Sequence, residues 1–349
     1  MTDHKKYMQR CLELAQRGLG TTRANPMVGC VVVKDNKIIA EGFHRYYGGP
    51  HAEVEALAKT EAETMSKQEK PDLAEATVYV SLEPCSHYGK TPPCADLLIA
   101  QGVKHVVIAS VDPNPLVAGK GVEALKSEGV KVEQGILDAE NRELNKRFFT
   151  FHEKQRPYII LKWAQSEDGY IAPVHEGNYK LTGSMANTLV HQWRAQEMGI
   201  LVGRKTIDKD NPLLTVRHVS GTNPVRVVFD PQCKLNTEHN VFNADAPTII
   251  FNTLKALDEK NVQWVKVSET DFLNQVMMVM HNQKIISVLV EGGTETLRQF
   301  IEAGLWDEAR IFTSPKKIGD GILAPAIKGK QKSMDCIGED KLTILLPNS

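Results

Sequence analysis

Residues 76–94 read ATVYVSLEPCSHYGKTPPC, and they contain a predicted strand that runs directly into a proline and a cysteine. The β-branched and aromatic residues of this run are typical of a buried strand. Cys85 follows the strand, and Cys94, after eight intervening residues, precedes the predicted helix CADLLIAQGV. A strand, a cysteine-flanked loop and a helix in this order indicate an α/β domain.

A second stretch, GGPHAEVEALAK at residues 48–59, places His51 and Glu53 two residues apart where an apolar helical pattern begins. A carboxylate in the first turn of a helix meets the positive end of the helix dipole, so a simple capping role is one interpretation. The other interpretation is a metal ligand beside a general acid/base. The two cysteines favour the second interpretation.

One histidine and two cysteines supply three ligands to zinc and leave the fourth tetrahedral position to water, as in catalytic zinc sites. Zinc lowers the pKa of bound water toward neutrality, and a nearby carboxylate can then accept and relay the proton. The pattern therefore predicts a zinc site of His51, Cys85 and Cys94 with Glu53 as the catalytic acid/base. If His87 were a fourth ligand, the site would be structural and Glu53 would have no task.

The length and composition of the chain narrow the class of protein. A chain of 349 residues fits two domains, each able to bury its own core. A net charge of −1 gives no basic excess, which disfavours nucleic acid as a partner. Six cysteines are too few for a disulfide framework in a chain of this length. The N-terminal sequence is predicted to form an amphipathic helix without the apolar core of a signal peptide, and no run reaches membrane length, so we expect a cytoplasmic protein with no membrane partner.

The order of predicted elements indicates two α/β domains. A hairpin over residues 28–40 precedes strands that alternate with helices, which predicts a mixed sheet in a first domain of residues 1–147. The polar segment Asn145–Pro157 is predicted to be a linker, because Pro157 disfavours helix at the residue before it. A second series of alternating strands and helices then predicts a second domain of residues 156–349.

Four segments of the first half carry a family resemblance: NPMVGCVVV, GFHRYYGGPHAE, LEPCSHYGKTPPCADLLIA and VDPNPLVAGKG. They resemble the deaminase half of the bifunctional deaminase/reductase family of riboflavin biosynthesis, which belongs to the cytidine deaminase superfamily. The long loop between the cysteines distinguishes this family from deaminases with a C-x-x-C spacing.

The resemblance implies a three-layer, cytidine-deaminase-like domain with one zinc ion per chain. It places zinc on the three predicted ligands and makes Glu53 the proton shuttle. It also implies substrate contacts whose amides and carboxylate suit a pyrimidine edge and hydroxyls, and whose cationic groups suit a phosphate. These contacts are Asn25, His44, Lys90, Asp112 and Asn114.

The second half contains VLVEGGTETLRQFIEAG, a predicted buried strand that ends in Gly292 and Gly293 and opens a helix at Thr294. Free N–H groups at a helix start attract phosphate, although an ordinary strand-to-helix turn explains the same letters and the G-x-G-x-x-G fingerprint is missing. Together with KWAQSEDGYIA, LTGS, HQWRAQ and LVGRKTIDKDNPLLTVR, the stretch resembles the reductase half of the same family. This resemblance implies a dihydrofolate-reductase-like α/β fold that uses NADPH.

The resemblance also implies the residues of the second site. The implied NADPH contacts are Ala164, Lys180, Thr206, Asp210, Gly293, Thr294, Glu295, Thr296, Leu297, Arg298 and Gln299. The implied contacts of the sugar-phosphate substrate are Asn178, Arg194, Leu214, Arg217 and Glu291. The family usually reads Ser-x-Trp-Ile-Thr-Gly where this chain has NYKLTG, so Asn178 and Lys180 stand in place of the serine and the tryptophan.

The expected function is zinc-dependent hydrolytic deamination of 2,5-diamino-6-ribosylamino-4(3H)-pyrimidinone 5′-phosphate, followed by NADPH-dependent reduction of its ribosyl group to ribityl. The family implies a homo-oligomer, a dimer or a tetramer, formed through the reductase half. One alternative is a deaminase whose second half is a non-catalytic binding module. Another is a non-enzymatic, RNA-binding protein with a structural zinc, which the near-neutral charge disfavours.

Overall fold

The computed structural model describes residues 3–65, 73–86, 92–115, 117–174 and 179–348. The chain divides into two units, Met1–Lys154 and Gln155–Ser349. Each unit has its own sheet and its own apolar core. Within the described ranges, no helix is both long and apolar enough to cross a membrane.

The first unit is built on a five-stranded mixed sheet. Its elements in chain order are α1 (His4–Gln16), β1 (Gly29–Lys34), β2 (Lys37–Phe43), α2 (Ala52–Met65), β3 (Thr77–Leu82), α3 (Cys94–Ala100), β4 (His105–Ser110), α4 (Lys120–Ser127), β5 (Lys131–Gln134), α5 (Asp138–Leu144) and α6 (Lys146–Lys154). The strand order is β2-β1-β3-β4-β5, with β1 antiparallel to both neighbours and β3, β4 and β5 parallel. The predicted hairpin and mixed sheet are confirmed.

Successive side chains of the strands point to opposite faces of the sheet, and helices cover both faces, so the unit has three layers. On β3, Val78 and Val80 pack into the cluster that includes residues of α2, α3 and α4, whereas Tyr79 between them packs into the opposite cluster with α1. Successive side chains of a strand point to opposite faces, so a strand that is apolar at every position needs helices on both sides. Each fully buried valine contributes roughly 1.5–3 kcal/mol to the free energy of unfolding. The sheet is therefore a stable support for the residues at its carboxyl edge.

The segment predicted to be a linker is helical instead. Helix α6 covers most of it, and the first unit extends to Lys154. The reason is its aromatic residues: Phe148 and Phe149 are buried and pack on Leu82 at the end of β3. Burial of these rings outweighs the polar character that suggested a linker.

The second unit is a larger α/β layered structure. Its elements are β6 (Tyr158–Gln165), β7 (Tyr170–Pro173), α7 (Ser184–Gln196), β8 (Gly199–Gly203), α8 (Arg204–Asp210), β9 (Val225–Phe229), β10 (Thr248–Asn252), β11 (Leu257–Glu259), β12 (Val262–Lys266), α9 (Phe272–Asn282), β13 (Ser287–Val290), α10 (Thr294–Glu302), β14 (Glu308–Thr313), β15 (Gly321–Leu323), β16 (Lys330–Ile337) and β17 (Asp340–Leu346). Ten strands form one sheet in the order β11-β12-β10-β9-β8-β13-β6-β14-β17-β16. The predicted terminal strand in KLTILLP is β17.

The central strands β9, β8, β13, β6 and β14 are parallel to their neighbours in this group. Helices α9 and α10 pack on one face of the sheet, and α7 and α8 pack on the other. Because parallel strands end at the same edge, residues that follow β8 and β13 are brought to one crevice. This edge is where the second candidate site lies.

Candidate active sites

The first unit brings His51, Cys85 and Cys94 together. His51 immediately precedes α2, Cys85 lies three residues beyond β3, and Cys94 is the first residue of α3. His51 Nδ1 lies 3.2 Å from Cys94 Sγ and 3.6 Å from Cys85 Sγ, and the three potential ligand atoms lie within 4.8 Å of one another. The sequence separated these groups by up to 43 residues, and the fold places them in one cluster.

The size of this cluster fits zinc. Zn–S bonds of about 2.3 Å and Zn–N bonds of about 2.0 Å in tetrahedral geometry place sulfur and nitrogen ligands roughly 3.5 Å apart. The two His51 distances lie close to that value. Among the described residues, this is the only group of three histidine, cysteine or acidic side chains close enough to hold a metal ion. His87, the alternative fourth ligand, lies outside the described residues.

The electrostatics of the cluster favour a thiolate. Hydrogen bonds from the Cys94 thiol, from His51 and from the Cys94 backbone N–H, 3.3 Å away, lower the pKa of Cys85 to about 4. The pKa of Cys94 is raised, because its thiol proton is held by Cys85 and its sulfur is buried. A metal ion that binds the cluster displaces this shared proton, since zinc binds the thiolate form.

Glu53 lies beside the cluster in the first turn of α2 and is 3% exposed. Burial raises the pKa of this carboxyl to about 7, although His51 nearby opposes the shift. A carboxyl with a pKa near neutrality can both accept and release a proton at working pH, which suits a proton shuttle.

The described members of the predicted deaminase substrate set lie on two segments of the first unit, one around Asn25 and His44 and the other around Asp112 and Asn114. The Asn25 amide donates to His44 Nε2 (3.0 Å), and His44 Nδ1 donates to the carbonyl oxygen of Pro50 (2.8 Å). Burial lowers the pKa of His44, and both of its ring nitrogens are engaged within the protein. His44 thereby orients the Asn25 amide, and its expected contact with the substrate phosphate stays a prediction.

On the second segment, the Asp112 carboxylate accepts from the Asn114 backbone N–H (2.8 Å) in an Asx-type turn. Lys90, the other predicted contact, lies outside the described residues.

Glu83 is a residue of this site that the motif analysis did not single out. It is 4% exposed, and its carboxylate accepts from the backbone N–H groups of Asp112 (3.2 Å), Gly119 (2.9 Å), Gly121 (2.9 Å) and Val122 (3.1 Å). It thereby ties the loop of Asp112 to the strand end that leads to Cys85. The sequence feature that could have identified Glu83 is a carboxylate directly after a predicted buried strand.

Three cavities lined by described residues of the second unit lie at the carboxyl edge of its sheet. The largest, about 1340 Å³, is lined by Thr206, Asp210, Arg298, Gln299 and the residues 293–296, all predicted NADPH contacts. A cavity of about 440 Å³ is lined by Arg194, Leu214, Arg217 and Glu291, the described members of the predicted substrate set. A third, of about 460 Å³, is lined by Ala164, Lys180 and Leu297, the remaining predicted cofactor residues. Glu291 lines all three cavities, so they surround one carboxylate.

Glu291 is the centre of a buried charge cluster. Arg194 binds it in a bidentate manner, with Nε and Nη2 each donating over 2.8 Å, and Lys162 Nζ lies 3.9 Å from the carboxylate. Burial alone would raise the pKa of Glu291, but the two cations lower it to about 2. Lys162 was not identified from the sequence. The feature that could have identified it is a single lysine inside the otherwise apolar strand YIILKWAQ.

The two arginines expected to hold phosphate differ in the structure. Arg194 is occupied by Glu291 and by the carbonyl oxygen of Thr215, so it orients the carboxylate. Arg217 is exposed at the rim of the 440 Å³ cavity, where its Nη1 donates to Thr215 Oγ1 over 3.3 Å. Its guanidinium has the accessibility that a phosphate ligand needs.

The strand-to-helix turn between β13 and α10 depends on glycine. A Cβ on Gly292 would lie 2.7 Å from Val202 Cγ1, and Gly293 has a φ of 60°. These two positions allow the backbone of the turn to lie against β8 and direct the first N–H groups of α10 at the 1340 Å³ cavity.

Of the two residues that depart from the family pattern, Lys180 is among the described residues. The backbone carbonyl of Lys180 accepts from Lys316 Nζ (2.8 Å), and its side chain is exposed at the 460 Å³ cavity. Asn178 lies outside the described residues.

Comparison with known families covers both units. The model of the cytidine and deoxycytidylate deaminase zinc-binding region matches residues 1–110, and the model of the RibD C-terminal domain matches residues 157–340. Riboflavin biosynthesis protein RibD of Aquifex aeolicus is 39% identical, with 96% of each chain covered. Its Escherichia coli counterpart is 37% identical, with 90% of this chain and 88% of that protein covered.

Solved structures are similar over the same length. A diaminohydroxyphosphoribosylaminopyrimidine deaminase/5-amino-6-(5-phosphoribosylamino)uracil reductase from Thermotoga maritima is 38% identical with a TM-score of 0.87, and 99% of each chain is covered. RibD of Acinetobacter baumannii is 33% identical with a TM-score of 0.88, again with 99% of each chain covered.

Proposed function

The chain belongs to the RibD family of riboflavin biosynthesis proteins, and from this premise we infer that its first unit carries the deamination and its second unit the reduction. The protein is a bifunctional deaminase and reductase, with a zinc-binding deaminase domain and an NADPH-dependent reductase domain. The observation that carries the assignment is the His51, Cys85 and Cys94 cluster in one unit and the cavities around Glu291 in the other. The substrate we propose is 2,5-diamino-6-ribosylamino-4(3H)-pyrimidinone 5′-phosphate.

In the deamination, water adds to the ring carbon that bears the amino group, and the carbon–nitrogen bond then breaks to release ammonia. Zinc, held by His51, Cys85 and Cys94, supplies the Lewis acidity that makes water a nucleophile near neutral pH. Glu53 takes one proton from the attacking water and delivers it to the ring nitrogen. It then takes the second proton from the hydroxyl group that the addition leaves on the ring carbon and delivers it to the amine, which departs as ammonia while the carbon–oxygen double bond forms. Its pKa near 7 suits both transfers.

We propose that the loops of Asn25 and Asp112 hold the pyrimidine and its ribose. The Asn25 carboxamide, oriented by His44, has an oxygen that accepts and a second N–H that donates, and the Asp112 carboxylate accepts from hydroxyls or amines. Asn114 and Lys90 complete the proposed set, with Lys90 as the cationic contact for the 5′-phosphate.

In the reduction, NADPH supplies a hydride when bound, and the protein supplies binding and charge. We propose that the 1340 Å³ cavity takes the cofactor, with the start of α10 facing its phosphates. Arg217 holds the substrate phosphate, and Glu291 accepts from sugar hydroxyls while Arg194 and Lys162 keep it ionised. In this proposal the ribosyl group binds beside Glu291, the residue that lines all three cavities.

The binding-module alternative for the second half is not favoured, because the RibD C-terminal domain matches residues 157–340 and the relatives match over nearly the whole chain. We further propose that the enzyme is cytoplasmic and forms a homo-oligomer. Light scattering coupled to size-exclusion chromatography tests the oligomer, since a monomeric mass at micromolar concentration would contradict it.

Zinc removal separates the two activities. The purified protein, before and after treatment with a chelator, is given the diamino substrate in one assay and the deaminated intermediate with NADPH in another. We expect the chelator to abolish ammonia release and to leave NADPH oxidation unchanged, with zinc restoring the first activity. Ammonia release that survives removal of all zinc would end the metal assignment, and failure to oxidise NADPH would end the reductase assignment.

A further inference from the structure

Helix α5 ends at a buried asparagine that contacts a residue far away in the sequence. Asn145 is 2% exposed, and its Oδ1 accepts from the backbone N–H of Met27 (2.8 Å) while its Nδ2 donates to the Met27 carbonyl oxygen (2.9 Å). The two residues are 118 positions apart. A carboxamide that pairs with both backbone polar groups of one residue makes the same two hydrogen bonds as a residue of a neighbouring antiparallel strand. It therefore fixes that residue in position and orientation.

The constraint on Met27 reaches Asn25 through a single proline. Pro26 has a fixed φ and also restricts the residue before it to extended conformations. Asn25 consequently has little freedom once Met27 is held. Its amide then meets His44 Nε2 at 3.0 Å, within the proposed pyrimidine site.

The same polar network continues to the other substrate loop. Asn145 Nδ2 also donates to Asn141 Oδ1 (3.1 Å), and Asn141 Nδ2 donates to Ser110 Oγ (2.8 Å). Both Asn141 and Ser110 are buried, and Ser110 ends β4 two residues before Asp112. Helix α5 thus connects the Asn25 loop and the Asp112 loop by side-chain hydrogen bonds.

We propose that Asn145 is a positioning residue of the deaminase, which sets the spacing of the two loops that hold the pyrimidine. The proposal rests on the proposed function of the first unit, in which Asn25 and Asp112 contact the substrate. Asn145 acts through Met27 and Asn141, and it lies in the segment that the sequence marks as a linker. The segment that the sequence marks as a linker therefore belongs to the first unit and contributes to the geometry of the deaminase site.

The test is Asn145→Asp in the full-length protein. The carboxylate can still accept from the Met27 N–H, but it faces the Met27 carbonyl oxygen with an acceptor in place of a donor. We expect the KM for deamination to rise about tenfold, since a lost hydrogen bond and a repulsive contact together are of that order. The kcat changes by less than the KM, and bound zinc and the reductase rate on the deaminated intermediate stay at wild-type values.

Two further variants keep the result interpretable. Val106→Ala removes volume from the core of the same unit without contacting this network, so it reports the effect of lost stability alone. Ser110→Ala removes only the hydroxyl at the far end of the network, and we expect it to raise the KM about threefold. Ser110→Ala carries the test if Asn145→Asp does not fold.

An unchanged KM in both network variants, or an equal rise in Val106→Ala, would overturn the proposal. Wild-type protein that fails to deaminate the pyrimidine would instead overturn the proposed function, so the two failures are distinguishable.

Discussion

Glu53 is 3% exposed and the side chain of Glu291 is 8% exposed, yet their pKa values are shifted in opposite directions. Burial raises the pKa of Glu53 to about 7. The pKa of Glu291 falls to about 2, because Arg194 and Lys162 outweigh the effect of burial. The first carboxyl suits proton transfer, and the second suits a permanent negative charge.

The first prediction concerns Glu53→Gln. The amide retains the size of the side chain but cannot relay a proton, so we expect deamination to fall at least about 100-fold. Steady-state ammonia release measures the change, while zinc content and NADPH oxidation by the same preparation serve as controls. Deamination at the wild-type rate would refute the role given to Glu53.

The second prediction concerns the pH dependence of stability in the second unit. The folded-state pKa of Glu291 lies below its unfolded value of 4.5, so its contribution is fully present above that pH and is lost as pH falls toward about 2. The contribution is on the order of 3 kcal/mol at neutral pH. We expect Glu291→Gln to be less stable than wild type at pH 7, with a difference that shrinks below pH 4.5.

Urea unfolding followed by tryptophan fluorescence measures this difference, because all four tryptophans (Trp163, Trp193, Trp264 and Trp306) lie in the second unit. A difference that stays constant from pH 7 to pH 3 would contradict the assigned pKa shift.

At the scale of secondary-structure elements, the zinc ligands depend on close packing between a loop and a helix. Helix α4 begins against the Glu83–Cys85 segment, and a Cβ on Gly121 would lie 1.9 Å from the carbonyl oxygen of Pro84. The contact is between backbone atoms, so no side chain can rotate away to relieve it. A side chain at position 121 would therefore displace helix α4 and the segment that carries Cys85 from their present contact.

The third prediction is that Gly121→Ala weakens zinc binding and deamination. The overlap destabilises the first unit by roughly 1–3 kcal/mol and displaces the segment before Cys85. Zinc retention during dialysis and ammonia release measure the effect, with Lys126→Ala on the exposed side of the same helix as control. Wild-type zinc retention in Gly121→Ala would show that the segment tolerates the shift.

At the scale of the whole molecule, each unit contains every described group of its own proposed site. The zinc cluster and its loops lie before Lys154, and the cavities around Glu291 lie after Gln155. Each unit also has a separate apolar core, which makes independent folding the expectation.

The fourth prediction follows from this division. A fragment of residues 1–154 should deaminate and a fragment of residues 155–349 should reduce, whereas a fragment of residues 1–144 should lose deamination. The shorter fragment lacks Asn145 and the buried rings of Phe148 and Phe149. Assays of the three purified fragments measure this, and full deamination by residues 1–144 would contradict it.

The cluster of proposed zinc ligands and the neighbouring Glu53 could be predicted from the sequence, because zinc chemistry allows few residue types. Only cysteine, histidine and carboxylates bind zinc well, so His51, Cys85 and Cys94 were recognisable from type and spacing. Short runs of β-branched and aromatic residues likewise predicted the strands, because the preference of these residue types for strands is a local property.

Tertiary structure alone decided which charges and hydrogen bonds are paired. Arg194 and Glu291 are 97 residues apart, and Asn145 and Met27 are 118 apart, so no local pattern links them. Arg194, which was predicted to contact the substrate, is paired with a carboxylate, and the segment predicted to be a linker contains helix α6. The physical reason is that burial sets the pKa of a group and the need for a hydrogen-bond partner, and burial exists only once distant segments have packed together.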